Sequence, residues 1–335
     1  MEATTMLNYI KQVLQNMPSD WLNLTTHRLD IYNEELAKTQ FTAQFETLCK
    51  ANNADATALY NLPTAFDYIR LGHPLSCVLE WAVAKLNATA NENVISFSSN
   101  TAPILAVLRK NLLENKKSKI VYKGALPSTF DANVIRDIYG YQFDLQKVEN
   151  LSEVSAFDGS TIFVSQPEDI YYFETKPTID FYVNINAKLG SIILVNGTKN
   201  AAYVSEIQHV RRRETIAMTP ANAFYALKSL VKEATEITHN DTEANKKTVK
   251  ITIKDITEAP TDALVASSGL SIQYAILMGL IHDAKENHPE KNIKIVVPPN
   301  CYGGTNDQAR RVAACLPNVA IVDLPVDGDN DMVQS

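Results

Sequence analysis

NENVISFSSNTAPILAVLRKNLL, residues 91–113, carries an apolar run of strand length that meets a serine pair and passes into a helical pattern. Strand, short turn, helix is the opening of a parallel α/β unit, because a parallel neighbour needs a crossover and a helix usually makes it. The next stretch, SKIVYKG at 118–124, supplies that neighbour. The alternation continues with FDANVIRDIY (130–139) as helix, then STIFVSQ (160–166) and GSIILVNG (190–197) as strands, with LSCVLEWAVAKL (75–86) as the helix in front. Apolar runs near five residues, separated by helices, predict parallel strands covered on both faces. The expected fold class is α/β, a mostly parallel sheet flanked by helices.

The same pattern recurs at TDALVASSGLSIQYAILMGLI, residues 261–281, followed by KIVVPPN, NDQARRVAACL and VAIVDLP. Ser98-Ser99-Asn100 falls on Ser267-Ser268-Gly269, so one unit is written twice and the turn glycine is kept only in the later copy, which is the shorter one. Four segments are expected: a helical arm over 1–57, a first α/β unit over 58–215, a connector over 216–259 and a second, incomplete α/β unit over 260–335. Within the connector, 216–247 reads as one long helical stretch with Thr219 as N-cap and Pro220 at the first helical position. TVKITIKDI, 248–256, alternates as a strand, and the last eleven residues read as an acidic, poorly structured tail.

With 335 residues, 45% hydrophobic and 21% charged, the chain has the composition of a globular protein with a sizeable core. A net charge of −7 argues against a nucleic-acid partner, and the basic stretches RKNLLENKKSK and HVRRRET read as solvated surface. Four cysteines without CxxC spacing suggest neither a zinc site nor a disulfide framework, which fits a cytoplasmic protein. No apolar run reaches the roughly 18 residues that cross a bilayer, and the N-terminus lacks a signal-peptide core. The six histidines show no metal-binding spacing, and no P-loop, nucleophile elbow or Gly-x-Gly-x-x-Gly is present.

Two turns carry candidate chemistry. SSGLS places backbone N–H groups and the positive end of a helix where an anion would sit, and Gly269 allows close approach. The alternative is an ordinary turn with capping serines. NCYGGT, residues 300–305, puts Tyr302 at a strand end before a flexible turn, where it could stack on a planar ligand or simply pack.

These residues resemble the transsulfuration (Cys/Met metabolism) family of pyridoxal 5'-phosphate (PLP) enzymes of fold type I, which includes cystathionine gamma-synthase, cystathionine beta-lyase and methionine gamma-lyase. ALVASSGLSIQYAI and PPNCYGGTNDQARRV are similar to its phosphate turn and its stacking turn. The resemblance implies that Ser268, Gly269 and Leu270 hold the PLP phosphate and that Tyr302 covers the ring. YIRLGHPLSCVLEWAVAKL is similar to the segment whose tyrosine and arginine reach the phosphate of a neighbouring subunit, which assigns that role to Tyr68 and Arg70, with His73 in place of an asparagine. IFVSQPED, KLGSIILVNGT, MTPANAFYALKSL and ITHNDTEANKK extend the resemblance in the family's order.

The first copy departs from the family. Asn100 replaces the phosphate-turn glycine, and Asn196 stands where an aspartate would keep the pyridine nitrogen protonated, which an amide cannot do. Lys199, in GTKN, is the candidate Schiff-base lysine, although its register conflicts by one position with the strand similarity. The resemblance therefore implies a PLP-dependent enzyme of sulfur amino-acid metabolism. It would break or form a carbon–sulfur bond in a small amino-acid substrate, as a dimer or tetramer. The alternative it leaves open is a catalytically silent relative that serves as scaffold.

Overall fold

In a computed structural model, residues 2–23, 34–63, 65, 68–233 and 242–324 are described, and they divide into two compact units, Met1–Ala234 and Thr235–Ser335. The first unit begins with α1 (Ala3–Asn16), α2 (Glu34–Lys50), α3 (Ala56–Tyr60) and α4 (Pro74–Leu86). It continues with β1 (Val94–Phe97), α5 (Ala102–Leu113), β2 (Ser118–Lys123), α6 (Ala132–Asp137), β3 (Asp144–Val148), β4 (Ser160–Ser165), β5 (Phe181–Asn186) and β6 (Gly190–Val195). Helices α7 (Tyr203–Glu214) and α8 (Pro220–Leu230) close it.

Its six strands form one sheet in the order β1-β6-β5-β4-β2-β3. Strands β2, β3, β4 and β5 pair in parallel. The expectation that all the apolar runs lie parallel fails at GSIILV: β6 is antiparallel to both β5 and β1. Only Ala187, Lys188 and Leu189 separate β5 from β6, and a link that short permits a hairpin but no crossover. Strand β1, antiparallel to β6, consequently runs in the same direction as β5, β4 and β2. Two strands were not expected, the mostly exposed edge strand β3 and FYVNIN, whose alternation is broken by the buried Asn184.

The core explains why this sheet holds. Strand β6 is buried along its whole length and β5 along all but its last residue, and α4 is buried from Leu75 to Ala84, as a helix packed on every side must be. Helix α1 buries Met6, Tyr9, Ile10, Val13 and Leu14 and packs on α4 and α8, and α2 packs on α4, so the N-terminal helices form a layer of this unit. Within the core, Glu80 of α4 accepts bonds from Lys38 Nζ (2.6 Å), Arg211 Nη1 (2.7 Å), Ser96 N (2.8 Å) and Ser96 Oγ (2.8 Å). Arg109 of α5 pairs with Glu214 and donates to Tyr141 OH at 2.9 Å.

His73, the N-cap of α4, is fully buried. Its Nδ1 accepts from Ser76 N at 3.2 Å, so Nε2 carries the proton and donates to Met218 O at 2.6 Å. Burial, outweighing the Met218 bond and nearby Glu80, holds the imidazole at about 4, below its ordinary 6.5. The unfolded chain therefore takes up this proton first, and stability falls as pH drops from 6.5 toward 4, by on the order of 3 kcal/mol in total. Urea denaturation at pH 7 and pH 5 should show a decline that His73→Gln abolishes; an unchanged slope in the variant would refute the assignment.

The second unit comprises α9 (Thr242–Thr257), α10 (Gly269–Asn287), β7 (Ile293–Val297), α11 (Gly303–Ala313) and β8 (Val319–Asp323), with β7 and β8 pairing in parallel. Three expectations are corrected. TVKITIKDI lies in α9, since a strand there would leave its backbone groups unpaired whereas the helix pairs them within the segment. Residues 262–266 form no strand and pair with no strand among the described residues. The stretch 216–247 is not one helix, because α8 ends at Leu230 and Lys232 adopts φ +57°, the left-handed conformation that stops helices. Residues 234–241 and the acidic tail lie outside the described residues.

Candidate functional site

In an open α/β sheet a ligand is expected beyond the carboxyl ends of the parallel strands, at the point where successive connections run in opposite directions. In the first unit that point lies between β2 and β4, since β2 leads outward to β3 while β4 leads to β5 on its other side. A cavity of about 310 Å³ opens there, bounded by Lys123, Ser165 and Asn184 at the strand ends and by Tyr172, Phe173 and Tyr182. Asn184 accepts from Ser165 Oγ at 2.8 Å and donates to Tyr172 O at 2.8 Å, which pins the aromatic loop across the strand ends. Burial pushes the Tyr182 hydroxyl up to about 12, so it stays neutral.

The β1–α5 turn shares this edge, and three of its amides bond within the chain. Ser99 Oγ accepts from Thr101 N (3.3 Å) and Ala102 N (3.1 Å), and Ser98 N donates to Ile216 O at 3.2 Å. Ser191 Oγ closes on Ser99 O at 2.5 Å. Asn100 Oδ1 is buried in this turn with no bonding partner among the described residues.

Asn196 and Lys199 follow β6, which runs opposite to its neighbours, so both lie at the other edge, beside the amino end of β5. Asn196 Nδ2 donates to Lys176 O (2.9 Å) and Ile179 O (2.7 Å). Lys199 Nζ pairs with Asp180 at 2.8 Å with its side chain 67% exposed. Asp180 also accepts from Thr161 N and Asn200 Nδ2; these bonds and Lys199 lower its carboxyl against the opposing pull of burial. The lysine carried to the carboxyl edge by the reversed hairpin is Lys188, exposed between β5 and β6. Asn222 of α8 donates to Lys188 O at 3.3 Å and Leu189 O at 3.0 Å, tying the hairpin to that helix. The short link between FYVNIN and GSIILV was the signal that could have found it.

Tyr68 and Arg70 lie against one another. The Arg70 guanidinium lies 4.3 Å from the Tyr68 ring centroid, and Nη1 donates to Arg212 O at 3.0 Å. Arg70 is buried.

In the second unit the structure brings Ser268, Gly269, Leu270 and Tyr302 together. Ser268 and Ser271 form a reciprocal capping box that satisfies their own two amides. The amides of Gly269 and Leu270, in the first turn of α10, have no acceptor among the described residues. A Cβ at Gly269 would meet nothing within 4 Å. Tyr302 stands at the start of α11, 61% exposed, with its ring edge and Leu270 both crowding Gly304, where a Cβ would lie 2.7 Å from the ring. Gln308 Nε2 donates to Leu270 O at 2.8 Å and Thr305 Oγ1 to Gln273 Oε1 at 3.1 Å, which locks the two helix starts side by side.

No family model matches this chain. No curated protein matches it either. Among solved structures, metB from Corynebacterium glutamicum is similar at 12% identity and a TM-score of 0.38, covering 76% of this chain and 70% of that one. Cystathionine gamma-lyase from Lactobacillus plantarum, complexed with L-serine, is similar at 9% identity and a TM-score of 0.39, covering 74% and 68%. A putative O-acetylhomoserine (thiol)-lyase from Campylobacter jejuni, solved with a pyridoxyl-lysine group, is similar at 12% identity and a TM-score of 0.36, covering 75% and 76%. No helix among the described residues is long and apolar enough to cross a membrane.

Proposed function

We propose that this chain is a catalytically silent relative of the PLP-dependent transsulfuration enzymes, in which the first unit serves as scaffold and the second binds PLP reversibly. The two acceptor-less amides of Gly269 and Leu270, beside the exposed ring of Tyr302, are the observation that carries this reading. A phosphate suits those amides because they and the helix dipole favour negative charge, and an aromatic face suits the pyridine ring. When bound as a cofactor, PLP acts as an electron sink, which needs a lysine and a carboxylate at fixed places. The residues expected there, Lys199 and Asn196, lie at the amino edge of the first unit and are engaged with the segment that leads into β5. The fit therefore rests on phosphate and ring alone, and no reaction step is assigned.

A second reading, an active enzyme on a sulfur amino acid, is favoured by one feature, the exposed Lys188 at the carboxyl edge. The two separate in one experiment: PLP is added to the full chain, reduced with borohydride, and lysine adducts are mapped. Saturable absorbance that dialysis removes, without an adduct, is the expected outcome. Gly269→Asp should abolish binding by placing a carboxylate against the phosphate, and Tyr302→Ala should weaken it about tenfold. A stoichiometric adduct at Lys188 would replace the silent reading with the enzymatic one, and no binding at all would overturn both.

A further inference from the structure

The amino edge of the first unit holds a second cavity, of about 460 Å³, between Glu92, two residues before β1, and the start of α7. We propose that this cavity is a binding site for a small organic monocarboxylate. It lies at the opposite edge of the first unit's sheet from the cavity at the carboxyl ends.

Charge carries the argument. Lys38 and Arg211 both line the cavity, both are at least 95% buried, and both pair with one carboxylate, that of Glu80. Two buried cations sharing one buried anion leave one positive charge unbalanced within the cluster, and an unbalanced buried charge is costly. Arg211 already donates from Nη1 to Glu80 and Ser96 O and from Nη2 to Leu71 O, yet its buried Nε–H has no acceptor among the described residues. On the open side, α7 adds His209 and Arg212 to the lining, and the single acidic residue lining it, among the described residues, is Glu92.

Size and polarity narrow the ligand. The volume lies within the range of small-molecule sites. Leu71 and Val204 contribute apolar wall, which suits a ligand with a hydrophobic body. An excess of one positive charge in the buried cluster is matched by a carboxylate and overshot by a phosphate dianion. A single anionic head with an apolar remainder satisfies both requirements.

Benzoate is a suitable probe, with benzamide as its neutral isostere and inorganic phosphate as the anion without a body. Ligand-observed NMR titration of the full chain should show saturable benzoate binding, with benzamide and phosphate each at least tenfold weaker. Val204→Trp, which fills the cavity from its wall, should remove benzoate binding while the circular dichroism and melting temperature hold. Arg212→Gln should weaken it about tenfold. Absence of saturable benzoate binding, equal binding of benzamide, tighter binding of phosphate, or full retention of binding in folded Val204→Trp would each overturn the assignment. Because the readout uses no PLP and the Val204→Trp variant alters only the first unit, failure here is distinguishable from failure of the cofactor reading.

Discussion

Replacing Glu80 by Gln is expected to lower the stability of the first unit by about 3–5 kcal/mol, the typical result of removing one partner from a buried ion pair. The neutral amide keeps the volume and can still receive Ser96 N, but it leaves Lys38 and Arg211 buried without a counter-charge. In a unit of this size such a loss lowers the melting temperature by roughly 10 °C. The same carboxylate predicts an acid limb. Burial alone would raise its pKa, but Lys38, Arg211 and the Ser96 amide outweigh burial and hold it at about 2, against an ordinary 4.5. A depressed carboxyl stabilises the fold at pH values above 4.5, and that contribution is lost as pH falls toward 2. Urea titrations of both proteins between pH 7 and pH 3 check this; a difference under 1 kcal/mol at pH 7 would show that the cluster is not a buried ionic centre.

The second large effect is expected at Gly190→Ala. Gly190 opens β6 at φ +115°, where side chains are strained, and an added Cβ would lie 2.1 Å from the carbonyl oxygen of Phe97. That oxygen belongs to β1, which is held in register with β6 through Phe97 and Ser191, so the backbone has little room to move. A cost of about 3 kcal/mol or more is expected from the conformation and the contact together. The same methyl at Gly269 meets nothing, so Gly269→Ala provides a matched control with little change in the urea midpoint. Equal midpoints for Gly190→Ala and the parent protein would mean that the β5–β6 hairpin does not approach β1 this closely.

Much of this architecture was written in local residue patterns. VISF, SKIVY, STIFVS and GSIILV are apolar runs that bury themselves wherever they pair, and each proved to be a strand of the first unit. The caps were legible too, because a cap is a bond between near neighbours: Thr219 accepts from Asn222 N with Pro220 behind it, and Ser268 with Ser271 closes the start of α10. The turns at 268–270 and 302 could be singled out from their own short segments, although the strand expected before the first of them does not form. FYVNIN escaped because Asn184, buried and bonded to Ser165 and the 170–172 loop, interrupts the apolar alternation. TVKITIKDI misled because alternation records which residues are apolar, whereas a strand also needs a neighbour, and Val249 and Ile251 stay exposed on a helix.

Sequence by itself determined four strands of the first unit, the caps that open α8 and α10, and which turns carry glycine and serine. The direction of β6 was decided only in the tertiary structure, and with it the edge to which Asn196, Lys199 and Lys188 belong. The physical reason is that a strand buried on both faces has the same apolar pattern whichever way it runs. Its direction is set by the length of the connection to its neighbour, and three residues after Asn186 allow only a hairpin. The Glu80 cluster is of the same kind: Lys38, Glu80, Ser96 and Arg211 are far apart in the chain, and only the packing of α2, α4, β1 and α7 places them around one carboxylate.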